Sequence, residues 1–171
     1  METHESFNIA KFWDEEYKNL TYVKEKFNDP ITQTTWEDAG FRGPFGGYMC
    51  DMRSSQPTWN QKFIDFFETY EHWKDIGTSY YRMDPGSSLP THVDTYRRYV
   101  DLFDLKGKEH TIRRAVIFLE DRKAGHYAEC QNVGYANWTA GFTLVWPWNA
   151  PHSAMNMGFE PRYTLQVTGH L

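Results

Sequence analysis

The sequence has few of the features that mark secreted or membrane proteins. It contains only two cysteines, Cys50 and Cys130, which are far apart and outside any zinc-binding spacing. We therefore expect two free thiols in a reducing compartment. No apolar run approaches the ~18 residues of a membrane span, and the polar N-terminal stretch does not resemble a signal peptide. We expect a cytoplasmic protein without a membrane partner.

Basic charge is also scarce. The chain has 18 Lys and Arg against 23 Asp and Glu, a formal net charge of -5, and no basic block. Because nucleic-acid binding depends on basic groups that neutralise phosphates, we expect no nucleic-acid partner. The sequence does not determine the oligomeric state.

Aromatic residues, in contrast, are abundant. Seven Trp, eleven Tyr and twelve Phe make up 18% of the 171 residues. So many rings predict a well-packed core, and they also suit a pocket lined with aromatic side chains. The length is typical of one domain, so we treat residues 1–171 as a single folding unit.

Residues 1–75 are expected to form a support of helices and loops. Residues 8–27 mix aromatic and charged residues in a way that suits a helix, whereas residues 28–58 have the composition of loops and turns. A further helix is predicted to begin at Pro57, with Ser55 as its cap, and to end near residue 73. Its apolar stripe, which predicts packing on a sheet, consists of Trp59, Phe63, Phe66, Phe67 and Tyr70.

Residues 76–171 carry short strand-like runs separated by turn residues. The predicted strands are residues 76–83, 111–119, 127–133, 141–146 and 161–168. Alternation in the last strand places Tyr163, Leu165 and Val167 on one face, and Arg162, Thr164 and Gln166 on the other. Helices followed by short strands predict a mainly β chain with N-terminal helices (an α+β chain), whose core is a double-sheet jelly roll.

Two histidines and an aspartate have the residue types and spacing of a metal site. His92 and Asp94 are two residues apart, so in an extended segment both side chains point to the same side. His152 follows an apolar strand and a turn bounded by prolines. An HxD triplet is common by chance, and an isolated histidine is more often structural than a ligand. The triplet therefore needs support from other residues.

Arg162 and Thr164 supply that support. Arg162 lies ten residues after His152, and Thr164 shares its strand face. A guanidinium binds a carboxylate through two hydrogen bonds, and the hydroxyl can add a third. Two histidines and one carboxylate leave three positions of an octahedral ion open, the arrangement associated with non-haem Fe(II) oxygenases. A 2-oxo acid can fill two of these positions and O2 the third.

The segments His92-Val93-Asp94, His152 and Arg162-Tyr163-Thr164 together resemble the HxD…H…RxS/T signature of the 2-oxoglutarate/Fe(II) dioxygenases. The stretch from Tyr81 to Thr168, about half of the chain, is similar to the aspartyl/asparaginyl β-hydroxylase-like branch, and in its brevity to stand-alone chains from phages and bacteria. The resemblance implies a double-stranded β-helix of the cupin-like jelly-roll type. It also implies Fe(II) on the two histidines and Asp94, and 2-oxoglutarate on Arg162 and Thr164.

The same resemblance implies a reaction and further site residues. Oxidative decarboxylation of 2-oxoglutarate to succinate and CO2 would be coupled to hydroxylation of an amino-acid, peptidyl or other small-molecule substrate by O2. Arg114 matches a second arginine near the co-substrate, although Val116 stands where that branch has a histidine. Tyr81, Trp146 and Asn156 are candidates for the substrate pocket, and Asn156 also suits hydrogen bonds to the backbone of the turn at residues 152–158, the role that we favour. A phage origin would place the protein in the host cytoplasm.

Two other functions are compatible with the sequence. A cupin-like metalloenzyme that does not use 2-oxoglutarate would keep the metal ligands but would have no use for Arg162. A non-enzymatic β-sandwich that binds a partner or builds a structure would explain the aromatic residues and leave the whole motif as coincidence. Metal content and 2-oxoglutarate turnover distinguish these functions.

Overall fold

The computed structural model describes residues 3–24, 29–50, 52–53 and 55–171. The helices in these ranges are α1 (Pro30–Asp38), α2 (Asn60–Tyr70) and α3 (Arg97–Leu102), with short 3-10 helices at Glu15–Asn19 and Glu109–Thr111. The strands are β1 (Glu5–Asn8), β2 (Tyr22–Lys24), β3 (Tyr48–Cys50), β4 (Lys74–Met83), β5 (Ser88–His92), β6 (Ile112–Phe118), β7 (His126–Cys130), β8 (Val133–Tyr135), β9 (Phe142–Pro147), β10 (His152–Asn156) and β11 (Arg162–His170).

The strands form two antiparallel sheets. The larger sheet has the order β1-β9-β6-β11-β4-β3-β2, and the smaller sheet has the order β5-β10-β7-β8. From β4 onward the chain passes back and forth between them, with β4, β6, β9 and β11 in the larger sheet and the other four strands in the smaller one. This alternation between two facing sheets is the jelly roll that the sequence predicts.

Strand β11 lies in the middle of the larger sheet and gives each of its faces a different role. It pairs with β6 on one side and β4 on the other. Tyr163, Leu165 and Val167 belong to a core cluster on the outer face of the sheet. Arg162, Thr164 and Gln166 point to the space between the sheets. The predicted alternation is confirmed, so one strand both closes the core and supplies polar groups to an inner pocket.

The outer core lies between the larger sheet and α2. Phe63 and Phe67 of α2 are fully buried against Trp73, Tyr80 and Leu165. The predicted helix stripe is thus correct at its centre, whereas Tyr70 at its end is 69% exposed. The helix begins later than predicted. Trp59 precedes its first residue and Ser55 does not cap it, because the segment around Pro57 forms a turn before the helical hydrogen bonds begin.

The space between the two sheets contains a second apolar cluster. Phe118, Leu144 and Trp146 of the larger sheet pack on Ala128 and Cys130 of the smaller sheet. This second cluster buries apolar area inside the sandwich and sets the distance between the sheets. Several of these residues also line a pocket between the sheets, described below.

The N-terminal region differs from the prediction. The expected helix over residues 8–27 is wrong: its described residues contain a 3-10 helix at Glu15–Asn19 between the irregular segment after β1 and strand β2, and residues 25–28 lie outside the described residues. Residues 28–58 include α1 and β3, so the loop prediction is also wrong there. Edge pairing explains the strands, because β1 adds to β9, and β2 and β3 extend the sheet from β4. Such pairing has no local sequence signal.

The C-terminal strands largely match the prediction, with two differences. The predicted strand over 127–133 is a hairpin of β7 and β8, in which Gln131 and Asn132 both have positive φ. Two consecutive residues in this conformation form the tight turn that suits a β-hairpin. Strands β5 and β10 and helix α3 were not predicted, since Pro90 in β5 and the polar residues of β10 give weak strand signals.

Both cysteines are buried, and the described residues contain no disulfide. No helix in the described ranges has the length and apolar character needed to cross a membrane.

Candidate metal centre

Three predicted ligands meet at one edge of the smaller sheet. His92 is the last residue of β5, His152 is the first of β10, and the strand register pairs them directly. Asp94 lies two residues beyond the end of β5. Antiparallel pairing of β5 with β10 therefore brings together residues that are 60 positions apart in the sequence. A register shift follows His152, which is typical of strands that bend next to a site.

The three side chains converge through single atoms. Asp94 Oδ1 lies 3.7 Å from His92 Nε2 and 3.9 Å from His152 Nε2. The two imidazole rings are 4.3 Å apart between centroids. Ligands at about 2.1 Å from one ion lie no more than about 4.2 Å apart, so both distances suit a shared metal. The group satisfies the geometry of a three-residue metal site.

Backbone hydrogen bonds fix the tautomer of both histidines. His92 Nδ1 donates to the carbonyl of Pro90 at 2.8 Å, and His152 Nδ1 donates to the carbonyl of Ala150 at 3.0 Å. A carbonyl can only accept, so in each neutral ring the proton is on Nδ1 and the lone pair is on Nε2. Both lone pairs thus face Asp94. Metal-binding histidines regularly donate a hydrogen bond from the ring nitrogen that does not bind the metal.

The electrostatics of the site also favour the protonation states in which these side chains bind a metal. Burial, together with the neighbouring His152, lowers the pKa of His92 to about 4, so the His92 ring is neutral near pH 7. Burial alone would raise the pKa of Asp94, but His152, Arg114 and His92 together bring it below its usual value. A neutral imidazole and an ionised carboxylate are the forms that bind a metal.

The site opens into a pocket of about 910 Å³ between the two sheets, which we call the inter-sheet pocket. Trp146 is buried on its wall and stacks on His152, with ring centroids 4.7 Å apart. Trp36 approaches His92 edge-on at 5.5 Å. Tyr81 also lines the pocket, as expected. These rings hold the two histidines in place and keep water away from them.

Arg162 lies in the same pocket with its charge buried. Its side chain is almost inaccessible, and Nη1 donates to the carbonyl of Tyr127 at 2.8 Å. Nε has no hydrogen-bond partner, and within the described part of the chain no carboxylate pairs with the guanidinium. Burial lowers the pKa of Arg162 to about 10, which still leaves it charged near pH 7. A buried, unpaired guanidinium costs several kcal/mol, so it fits an anionic ligand.

Arg162 and the metal group are separated along the strands. Tyr127, whose carbonyl binds Arg162, precedes Cys130 by three residues, and Cys130 pairs with His152. Three strand residues correspond to about 10 Å. This separation suits a five-carbon dicarboxylate that binds a metal at one end and a guanidinium at the other. Thr164 is buried on the same strand face as Arg162 and lines the same pocket.

Arg114 faces the pocket from β6, and its backbone position is far along the sheet from that of Arg162. In the pairing of β6 with β11, Arg114 is opposite Thr168, six residues along β11 from Arg162. Six strand residues span about 20 Å. Arg114 Nη2 is 3.4 Å from Asp94 Oδ2, and Nη1 donates to Gln166 Oε1 at 3.1 Å. The structure therefore brings Arg114 to the metal group, and its contact with the co-substrate stays a prediction.

Of the two roles expected for Asn156, the structure shows hydrogen bonds in the turn and not a place on the pocket wall. Asn156 is fully buried, and its Nδ2 donates to the carbonyls of Met83 and Glu160. Its Oδ1 accepts from the amide of Gly158. Asn156 is not among the residues that line the inter-sheet pocket. Its polar atoms hold the turn between β10 and β11, which places Arg162 at the start of its strand.

Two residues that the sequence motifs do not include surround Arg114. Gln166 binds its guanidinium, and Tyr96 lies beneath it with the ring centroid 5.2 Å from Cζ. The alternation of residues in β11 places Gln166 on the same face as Arg162, so the sequence does indicate that Gln166 faces the pocket. Tyr96 has a positive φ in the loop after Asp94, and no sequence pattern marks it.

No protein-family model matches the chain, and no curated protein matches it in sequence. Among solved structures, a Pseudomonas putida prolyl-4-hydroxylase is similar with a TM-score of 0.57 and 14% identity, over 82% of each chain. A predicted oxalate decarboxylase from Thermotoga maritima is similar with a TM-score of 0.41 and 13% identity, over 72% of this chain and 80% of that one. A Klebsiella pneumoniae protein with a double-stranded β-helix domain matches at 0.39 and 16% identity, over 56% and 68%.

At these identities the likenesses concern the fold alone. The two-sheet architecture and the prolyl-4-hydroxylase likeness confirm the predicted double-stranded β-helix. The aspartyl/asparaginyl β-hydroxylase branch stays a prediction.

Proposed function

We propose that the protein is a non-haem Fe(II)- and 2-oxoglutarate-dependent dioxygenase that hydroxylates a substrate. The observation that carries the proposal is the buried guanidinium of Arg162, without a carboxylate partner in the described residues, in the same pocket as His92, Asp94 and His152. Metal ligands alone would suit many metalloenzymes. A second buried cation about 10 Å from them gives a reason for a dicarboxylate co-substrate.

The residues of the chain have separate roles in this proposal. His92, His152 and Asp94 would hold Fe(II), since two imidazoles and a carboxylate are the donor set typical of non-haem Fe(II) oxygenases. Arg162 and Thr164 would bind the distal carboxylate of 2-oxoglutarate. The bound iron and 2-oxoglutarate supply O2 activation and C–H oxidation. The apolar walls around Trp146 and Phe118 keep water out of the reaction space.

The network around Asp94 would keep its second oxygen away from the metal. Oδ1 faces both histidines, whereas Oδ2 faces Arg114. Gln166 and Tyr96 hold that guanidinium from two sides. A carboxylate held in this way binds through one oxygen, which leaves more positions of the ion open for co-substrate and O2.

An anaerobic titration with Fe(II) and then 2-oxoglutarate tests the proposal. Chelation of a 2-oxo acid by such an iron is expected to produce a weak visible charge-transfer absorption band. The band should appear in the parent protein and be lost in His152→Ala, because one ligand is gone. Iron binding without the band would favour a cupin-like metalloenzyme that does not use 2-oxoglutarate. A lack of iron binding would favour a β-sandwich binding protein.

A further inference from the structure

The wall of the inter-sheet pocket has more basic than acidic residues, although the chain as a whole is acidic. Among the described residues, the wall contains no lysine and two acidic residues, Asp94 and Glu129. Asp94 belongs to the metal group, and Glu129 accepts a hydrogen bond from Tyr127 Oη at 3.0 Å. The arginines of the wall are Arg53, Arg97, Arg98, Arg114 and Arg162. This excess of arginine gives the pocket a positive potential that attracts anions.

Arg114 and Arg162 define two separate positions for anions. Their backbone positions are six residues apart along β11, about 20 Å by strand geometry, and only the Arg114 guanidinium contacts Asp94. Arg114 contacts Asp94 through Oδ2, whereas Oδ1 of the same carboxylate faces the two histidines. The space beside Arg114 is therefore a second position for an anion, next to the metal group.

The charges of the site with Fe(II) and 2-oxoglutarate bound suggest that Arg114 also binds an anion. With Fe(II) and 2-oxoglutarate in place, the charges of the metal, Asp94, the co-substrate and Arg162 cancel. Arg114 then adds one positive charge beside Asp94, and its side chain is only 17% exposed. A partly buried cation in a site that is otherwise neutral is stabilised by an anion that binds next to it.

We infer that the substrate of the proposed dioxygenase carries a carboxylate that binds to Arg114, and this inference rests on the proposed function. Gln166 and Thr168 lie on the same pocket wall and offer further hydrogen bonds. Trp146, opposite Arg114 in the pairing of β6 with β9, provides an apolar surface for the rest of the molecule. Because Arg114 also contacts Asp94, a carboxylate bound there would lie close to the metal group.

Binding of simple acids to the loaded protein tests the inference. The protein is first loaded with Fe(II) and 2-oxoglutarate without O2, and the charge-transfer band confirms loading. Acetate, butyrate and benzoate are then titrated by anaerobic calorimetry, each beside its uncharged primary amide. At least one acid is expected to bind about tenfold or more tightly than its amide, since a charge-assisted hydrogen bond contributes about 1.5–3 kcal/mol. The band must persist, which shows that the acid does not displace 2-oxoglutarate.

Arg114→Gln is expected to remove the preference for the acid. Arg113→Gln is the matched control, because Arg113 is adjacent on β6 and its guanidinium donates to the carbonyls of His110 and Ile112. It should keep the preference. If Arg114→Gln does not bind Fe(II) and 2-oxoglutarate, the Gln166→Leu variant is tested instead. It lacks the side chain that holds the Arg114 guanidinium, so acid binding should weaken about threefold.

Several results would overturn the inference. These are equal affinity for acids and amides, no acid binding to the loaded protein, and an unchanged preference in Arg114→Gln. Weaker 2-oxoglutarate binding in Arg114→Gln, with acid binding intact, would assign Arg114 to the co-substrate instead. If the parent protein never shows the charge-transfer band, the proposed function itself fails, and the inference fails with it for that separate reason.

Discussion

Arg162 shows how a single buried charge can indicate a ligand. Its guanidinium is inside the protein, one terminal nitrogen binds the carbonyl of Tyr127, and Nε has no partner. An unpaired buried cation lowers the stability of the folded protein by several kcal/mol. A buried arginine without a carboxylate partner is therefore expected at a position where a bound anion compensates for this loss of stability.

Replacement of Arg162 by glutamine should leave iron binding unchanged and weaken 2-oxoglutarate binding by about 100-fold, because loss of a buried charge pair costs roughly 2–5 kcal/mol. Anaerobic titration of the charge-transfer band measures both affinities. Arg82→Gln is the matched control: Arg82 pairs with Asp84 and does not line the pocket, although its strand position adjoins Tyr163. Equal affinity in Arg162→Gln and the parent would show that another residue binds the carboxylate.

The burial of His126 predicts how the free energy of unfolding changes as the pH falls. Burial lowers the pKa of its ring below the ordinary 6.5, and Nε2 donates to the carbonyl of Glu160 at 3.0 Å. The unfolded chain therefore takes up a proton more readily than the folded protein between these two pKa values. Consequently, the free energy of unfolding should decrease as pH falls from about 6.5 toward the lowered pKa.

His126→Gln should reduce this acid-induced loss, since glutamine does not titrate. Urea unfolding at pH 7.5 and 5.5, with a chelator present, measures the loss in both proteins. The comparison isolates His126 because other buried groups such as His92 contribute equally to parent and variant. An identical loss in both would contradict the assignment.

At the scale of elements, close contacts between backbones fix the added strands. After β1, the amide of Ile9 donates to the carbonyl of Gly141 at 2.9 Å, which extends the pairing of β1 with β9. Gly141 has a φ of +96°, and a Cβ there would collide with the carbonyl oxygen of Ile9. Only glycine allows this approach of the two chains.

Gly141→Ala should lower the free energy of unfolding by about 3 kcal/mol or more, because the segment after β1 must move away. Gly40→Ala is the matched control, since Gly40 has the same φ of +96° but no atom within 4 Å of the added methyl group. It should lose only about 1–2 kcal/mol, from the backbone conformation alone. Chemical denaturation measures both values, and equal losses would show that the contact with Ile9 does not constrain position 141.

At the scale of the whole molecule, the metal group joins β5 to β10 and fixes the loop that follows β5. A bound ion would therefore stabilise the folded state over the unfolded chain. At a free metal concentration of 100 times Kd, the gain is about 2.7 kcal/mol. For a protein of this length, that corresponds to a rise in Tm of about 5–10 °C.

Thermal unfolding with and without Zn(II), which is stable in air, measures this rise. The parent protein should show it, a chelator should reverse it, and His152→Ala should show no rise. A similar rise in His152→Ala would mean that the ion binds elsewhere.

The sequence alone determined those parts of the fold that depend on local patterns. The alternation of Arg162, Tyr163, Thr164 and Leu165 assigns each side chain to a face, because successive residues of a strand point in opposite directions. The apolar run of β6 and the stripe of α2 likewise predicted elements that the structure contains. The two-sheet architecture followed from these elements.

Tertiary structure alone decided the rest. Strands β1, β2, β3, β5 and β10 are stabilised by neighbours that are distant in sequence, so their own residues carry little signal. The pairing of His92 with His152 and the contact of Arg114 with Asp94 both depend on strand register. Register is set by packing across the whole sandwich, because a shift of one residue would turn every side chain of a strand to the opposite face.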